Sequence, residues 1–185
     1  MALSVEEIAR LLEVEGRRQY GREAVSQLDH ALQCAQLAEQ SGESAETVVA
    51  ALLHDLGHLL ATERVGVAAD RAARDDLHQY LALPFLRALF PLAVLEPIRL
   101  HVDAKRWLCA ADPGYRDTLS PASQHSLELQ GGVYSPVQAQ HFLAQPFAAE
   151  AIRLRRYDDQ AKVPGKATPT LAHFVKLAEA VRRPA

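Results

Sequence analysis

The feature that most restricts what this chain can fold into is Ala51-Leu52-Leu53-His54-Asp55-Leu56-Gly57-His58-Leu59-Leu60, where two histidines and an aspartate stand inside a run of core residues. Burying an ionisable group is costly unless something compensates its charge, so an adjacent His54-Asp55 pair among leucines calls for a partner. A bound cation is the simplest one. From Thr47 to Leu60 the segment is almost wholly apolar, lacks proline, and is long enough for a buried helix rather than a strand. On such a helix His54 and His58 lie one turn apart, with Asp55 one residue round from His54, so all three can line one hollow. Two structural histidines beside a helix carboxylate are the alternative, and the rest of the chain decides between the readings.

That rest reads as helix after helix. Ser4 with Glu7 forms a capping-box start, and Ile8, Leu11 and Leu12 follow at helical spacing. A polar connection from Gly16 to Arg22 carries Tyr20 and leads to Glu23. From Ser26 to Gln40, Leu28, Ala31, Leu32, Ala35 and Ala38 form an inward stripe, with His30 near the helix start and Ser41-Gly42 as the break. Ser44 caps the His-Asp helix, which runs out near Ala61. Thr62 to Asp76 is charged and alanine-rich, lacks an apolar period and reads as a loop with a short helical turn; His78 follows it. Leu77 to Phe90 is apolar and broken at Pro84, and Val94 to Ala110 is helical, with His101 and Lys105 on one face and Asp112-Pro113-Gly114 ending it. Ser120-Pro121, Ser135-Pro136 and Thr168-Pro169 each place a capping hydroxyl before a proline at the first helical position. Gly131-Gly132 closes the first of these helices. Pro146 to Ala161 holds Arg153, Arg155, Arg156, Asp158 and Asp159, and the basic turn Lys162-Val163-Pro164-Gly165-Lys166 follows. No alternating run of valine, isoleucine and threonine marks a strand, so the expected fold is all-α.

Composition narrows the class. A chain of 185 residues, 49% hydrophobic and 23% charged, suits a single globular domain over residues 1–185, and its apolar runs are too short to cross a bilayer. Its acidic start, Met1-Ala2-Leu3-Ser4-Val5-Glu6-Glu7, lacks the basic-then-apolar order of a secretory signal, which points to the cytoplasm. Cys34 and Cys109 sit in apolar helical patterns outside any Cys-x-x-Cys pair and read as small buried hydrophobes. The formal charge of −3 gives no general reason to expect nucleic acid. An anion site must therefore be local.

His30, His54, Asp55, His78, His101 and Asp158 are spread over five predicted segments. Helices converging on the His-Asp segment would let each give one side chain to a common centre. Six imidazole and carboxylate ligands exceed what one zinc ion uses but suit two ions bridged by a carboxylate. His125, His141 and His173 lack such partners and read as surface or structural residues.

This order of a lone histidine, a His-Asp pair and a distant aspartate resembles the HD-domain superfamily, and the two additional histidines resemble its two-metal branch. Tyr20-Gly21-Arg22-Glu23, Gln27-Leu28-Asp29-His30-Ala31-Leu32-Gln33, His54-Asp55-Leu56-Gly57-His58, His101-Val102-Asp103-Ala104-Lys105-Arg106, Leu119-Ser120-Pro121-Ala122-Ser123 and Arg155-Arg156-Tyr157-Asp158-Asp159 are similar to the phosphonate-degrading, mixed-valent diiron HD-domain oxygenases over about residues 16–175. The resemblance implies an HD-domain helical bundle. It implies one iron held by His30, His54, Asp55 and Asp158 and another by Asp55, His78 and His101, with His58 competing for the place of His78. By the same resemblance Lys105, Arg155, Ser123 and His58 surround the substrate, while Tyr20 and Glu23 close the site until substrate displaces them. Asp55, His58 and Lys105 would be the catalytic set.

The residues agree with this independently. His101 and Lys105 are one helical turn apart, as are Asp158 and Arg155, so each pairs a ligand with a fixed cation, and a dianionic phosphonate at the metals would find its counter-charges there. The expected activity is oxygenation of a 1-hydroxyphosphonate, such as 2-amino-1-hydroxyethylphosphonate or its trimethylammonium analogue, by dioxygen at an Fe2+/Fe3+ pair, giving phosphate and glycine or betaine. A metal-dependent phosphohydrolase of nucleotides or phosphate esters is the alternative, and a non-catalytic interaction module the third reading. Partners are then a small phosphonate and dioxygen, without nucleic acid or membrane.

Overall fold

The structure, a computed structural model, describes residues 3–20, 23–65 and 77–184, with only the backbone described for 61–65. Among them are twelve helices: α1 (Val5–Val14), α2 (Gln27–Gln40), α3 (Ala45–Leu53), α4 (Leu56–Val65), α5 (His78–Leu81), α6 (Leu83–Leu86), α7 (Leu92–Ala111), α8 (Tyr115–Thr118), α9 (Pro121–Leu129), α10 (Pro136–Leu143), α11 (Ala148–Gln160) and α12 (Leu171–Ala180). Among the described residues no strand forms beyond one isolated bridge between Gln19 and Ser26. The chain is all-α, as its patterning predicts.

Local chemistry starts most of the long helices where the sequence places them. Ser4 with Glu7, Ser26 with Asp29 and Ser135 with Gln138 form reciprocal capping boxes, and Ser44 and Ser120 accept from the backbone amides of Thr47 and Ser123. Helix α7 crosses the middle, packing on α11 and α3, and α2 packs on α3 and α11. Leu53, Leu56, Leu86, Phe90, Ile98, Leu154 and Phe174 are buried in the main core around them, and Leu100, Ala104, Phe142 and Ala151 form a smaller cluster beneath α10. Ala31, Ala35 and Ala38 let α2 approach α3 closely, completing the inward stripe with Leu32 buried and Leu28 partly so.

Two expectations change. The predicted continuous helix from Thr47 to Leu60 is broken at His54-Asp55, where a turn separates α3 from α4. Across the break the His54 ring bonds through Nδ1 to the carbonyl of Ala51 at 2.9 Å, the acceptor that the Asp55 amide would use in an unbroken helix, and the His58 amide donates to Asp55 O at 2.9 Å, three residues back. Apolar patterning cannot reveal this, because both halves are buried. The last helix begins at Leu171 with Thr170 as its first cap, rather than behind Thr168-Pro169. Backbone geometry, not the Thr-Pro signal, sets that start, since no side chain caps it. Helix α4 carries on to Val65, and the remainder of the expected loop, residues 66–76, lies outside the described residues, as do Gly21 and Arg22.

Candidate metal centre

The buried Asp55 carboxylate divides the centre in two. Its Oδ2 lies 3.7 Å from His30 Nε2 and 3.5 Å from His54 Nε2, while Asp158 Oδ1 stands 3.4 Å from the His30 nitrogen and Asp158 Oδ2 3.9 Å from that of His54. Its Oδ1 faces the other way, 3.3 Å from His78 Nε2, 3.7 Å from His101 Nε2 and 3.8 Å from His58 Nε2. Within each half the imidazoles are close as well: His30 Nε2 is 3.4 Å from His54 Nε2, and His78 Nε2 2.9 Å from His101 Nε2. Ligand atoms about 2.1 Å from one ion stand roughly 3.0 to 3.4 Å apart in octahedral or tetrahedral coordination. Both clusters are within a few tenths of an ångström of that spacing.

Three rings are fixed so that only their inner nitrogens remain for coordination. His30 Nδ1 meets Ala161 O at 2.9 Å, His54 Nδ1 meets Ala51 O at 2.9 Å and His101 Nδ1 meets Ile98 O at 2.7 Å. A carbonyl can only accept, so each Nδ1 carries the proton and in a neutral ring Nε2 presents a lone pair, the outer arrangement that metal-ligating histidines adopt. Asp55 Oδ2 and Asp158 Oδ1 are buried without a hydrogen-bond donor. A buried carboxylate oxygen left in that state is expensive. The donor set therefore fits cations.

Electrostatics point the same way. Burial works against the charges of Asp55 and Asp158, but His54, His58 and His78 around the first, and Arg155, His30 and His54 around the second, hold both carboxyls well below the usual range. Burial lowers His54 and His101, keeping them neutral. Burial also disfavours a proton on His30, yet Cys34 and Asp158 outweigh it and raise that imidazole well above the ordinary value.

Helix α4 reaches the centre by a close backbone approach. A Cβ on Gly57 would sit 2.8 Å from the carbonyl carbon and 2.9 Å from the Cα of His78, and nearer still to its oxygen. Only glycine allows His78 this near. His58 stacks on the His78 ring at 4.0 Å, so both competing candidates face Asp55 Oδ1, with His78 the nearer.

Beside the candidate metal ligands lies a cluster of buried cations. Lys105 is 2% exposed, and its ammonium donates to Ser126 Oγ at 2.7 Å. Among the described residues no carboxylate lies within ion-pair distance of it. Burial, together with Arg155, lowers its pKa to about 7. Arg155, also buried, pairs with Asp158 Oδ2 at 2.7 Å and with Asp159, and its Nε donates to Tyr115 Oη at 3.3 Å. Ser123 is buried at the start of α9. Tyr20 covers the centre, stacked on His30 with centroids 4.2 Å apart, and burial and Asp55 push its phenol well above the ordinary value. Glu23, whose amide donates to Tyr20 O at 2.8 Å, accepts from Ser120 Oγ at 2.5 Å.

All the sequence-predicted ligands thus meet, and Tyr20, Glu23, His58, Lys105, Ser123 and Arg155 border them. His125, His141 and His173 are exposed and distant in role. Sequence reasoning missed Lys162, Ser126, Tyr115 and Asp159, which hold the cation cluster's polar side chains. Ser126 lies three residues after Ser123, and Asp159 four after Arg155, spacings that could have signalled them. Cys34 Sγ lies 3.6 Å from His30 Nε2, close enough to share an ion with His30 and His54, and burial pushes its thiol up.

Fold and centre together place the protein in one class of metal-binding helical bundle. The HD domain family model matches residues 28–183, and the chain belongs to that family. Within it, the sequence is 42% identical over 170 residues to hydroxymethylphosphonate dioxygenase of Gimesia maris, covering 92% of this chain and 84% of that protein. It is 36% identical over 175 residues to the glycine-betaine-forming 1-hydroxy-2-(trimethylamino)ethylphosphonate dioxygenase of Leisingera caerulea, covering 95% of this chain and 88% of that protein.

Proposed function

We propose that the protein is a two-metal oxygenase that breaks the carbon–phosphorus bond of a small 1-hydroxyphosphonate with dioxygen. The observation that carries this reading is the buried Asp55 carboxylate with one histidine cluster at each oxygen, with the buried ammonium of Lys105 nearby. The names of the two relatives supply the reaction class. For hydroxymethylphosphonate the stoichiometry balances: the dianion and one O2 give formate, hydrogen phosphate and one proton, the carbon losing the four electrons that dioxygen gains.

In this reading His30, His54, Asp55 and Asp158 hold one ion, and Asp55, His78 and His101 the other. Imidazole and carboxylate donors suit iron, and an Fe2+/Fe3+ pair would supply Lewis acidity toward the substrate oxygens and the electrons that activate dioxygen. Lys105, Arg155 and Ser123 bind the phosphonate. Arg155 has five N–H donors and spends three on Asp158, Asp159 and Tyr115, leaving two for substrate oxygens. His58 is partly exposed beside Asp55 Oδ1, where it can take the proton of the substrate hydroxyl. Tyr20, stacked on His30, covers the centre with Glu23 beside it and excludes water until the substrate enters. Among the described residues no helix is long and apolar enough to cross a membrane, and the partners are the phosphonate and dioxygen.

The test is oxygen uptake and phosphate release by anaerobically iron-loaded protein with hydroxymethylphosphonate, 2-amino-1-hydroxyethylphosphonate and its trimethylammonium analogue. One phosphate per dioxygen is expected from at least one of them. Phosphate release from nucleotides without oxygen uptake would assign the protein to the hydrolases instead.

A further inference from the structure

Lys162 follows the end of α11 in a turn, yet its backbone is pinned on both sides. Ala161 O bonds to His30 Nδ1 at 2.9 Å, while Gln33 Nε2 donates to Val163 O at 2.9 Å and Val163 N–H donates to Gln33 Oε1 at 3.0 Å. Both anchors are on α2, and Gln33 is itself buried. Residue 162 is thereby held one position from the carbonyl that orients His30, a metal-ligand candidate.

Its side chain joins two groups of residues. The Lys162 ammonium is 3.1 Å from Glu23 Oε1, donates to Ser123 Oγ at 3.1 Å and reaches Ser120 Oγ at 3.5 Å. Ser126, one turn on from Ser123 along α9, accepts from Lys105 and donates to Ser123 O at 3.1 Å. Two ammonium groups therefore converge on one turn of α9, one buried and, among the described residues, without an acidic partner, the other occupied by the carboxylate that accompanies Tyr20. Both residues of the Glu23–Lys162 pair keep some solvent contact, at 15% and 13% side-chain exposure, so the pair is separable.

On the anion-binding reading above, we propose that Lys162 is an exchange residue: it holds Glu23 in the ligand-free protein and passes to an oxygen of a tetrahedral oxyanion when one binds between it and Lys105. The exchange releases Glu23, and with it the Tyr20 cover over His30. Lys162 is then both a third cation for the anion and the link between anion binding and opening of the cover.

The test is calorimetric titration of inorganic phosphate into metal-loaded protein. Lys162→Ala should weaken phosphate binding roughly 10- to 100-fold, the scale of one lost charge-assisted hydrogen bond, with Lys162→Arg recovering part of it. Glu23→Gln frees the ammonium beforehand and should tighten binding roughly 3- to 10-fold, the scale of one partly exposed ion pair. The double variant should bind like Lys162→Ala alone, because the gain from Glu23→Gln acts only through the lysine. Lys162→Ala binding phosphate as well as the wild type would show a mere tether and overturn the proposal, as would Glu23→Gln without tightening or a wild type that binds no phosphate. Since phosphate is not oxidised, a protein that follows this pattern but takes up no oxygen loses the oxygenase and keeps the exchange. Oxygen uptake with a KM indifferent to Lys162→Ala does the reverse.

Discussion

The two ends of the Asp55 carboxylate are built differently. Around Oδ2, His30 comes from α2, His54 from the end of α3 and Asp158 from α11, helices of 9 to 14 residues that pack on one another in the main core. Both rings there are locked to backbone carbonyls. Around Oδ1, His101 is equally locked in α7, but His78 rides on a four-residue helix whose preceding Leu77 has a left-handed backbone, φ 51°. His58 there is partly exposed, whereas Arg155 and the Tyr20 cover stand at the Oδ2 end, on Asp158 and His30. One end is a preformed cage and the other a half-open seat. The second can adjust more readily than the first, while the groups that would meet an anion stand nearer the first.

The most severe way to test this contrast is to remove what both ends share. Asp55→Ala should leave the protein with neither ion and no turnover, read by metal analysis after desalting; a full complement of metal would end the bridging assignment. Next, His78→Ala should keep about one ion per chain in the Oδ2 cage, whereas His30→Ala should weaken that cage itself. If both variants lose metal equally, the ends are not independent. Gly57→Ala should resemble a milder His78→Ala, lowering occupancy of the Oδ1 ion roughly tenfold while circular dichroism stays helical.

Acidification should empty the cage in a defined direction. Metal binding needs His30 without its extra proton, and Asp158 and Cys34 favour that proton, so competition begins at a higher pH than for an ordinary histidine and retention falls as pH falls. The smallest effect is on stability. Lys105 drops from 10.5 in the unfolded chain to about 7 when buried, a difference on the order of 4 to 5 kcal/mol that is fully unfavourable below pH 7 and relieved as pH rises toward 10.5. Lys105→Met should therefore raise the melting temperature of the protein without metal by about 5 °C near pH 6, after allowing for relaxation and the lost Ser126 bond, with the gain fading as pH rises from about 7 toward 10.5. The same variant should lose phosphate binding.

How much of this was legible in the chain follows the same division. The six candidate ligands could be picked out because histidines and aspartates inside apolar helical patterns conflict with burial, and caps such as Ser26 and Ser120 marked where their helices begin. The break at His54-Asp55 was hidden, since it depends on a ring competing for a backbone carbonyl inside an unbroken apolar run. Lys162 was hidden for another reason. In sequence it is one cation in a basic turn, and its position is set by hydrogen bonds to Gln33, some 130 residues away. Contacts of that span leave no local period to read.

The bond between His30 and the carbonyl of Ala161 crosses 131 positions of sequence. During synthesis His30, His54 and Asp55 emerge early, but the ring of His30 cannot be oriented, nor Asp158 delivered, until the ribosome has extruded most of the polypeptide. A cage that waits for Asp158 and Ala161 is completed only by the folded bundle, so an ion that needs the whole cage would bind after folding instead of nucleating it.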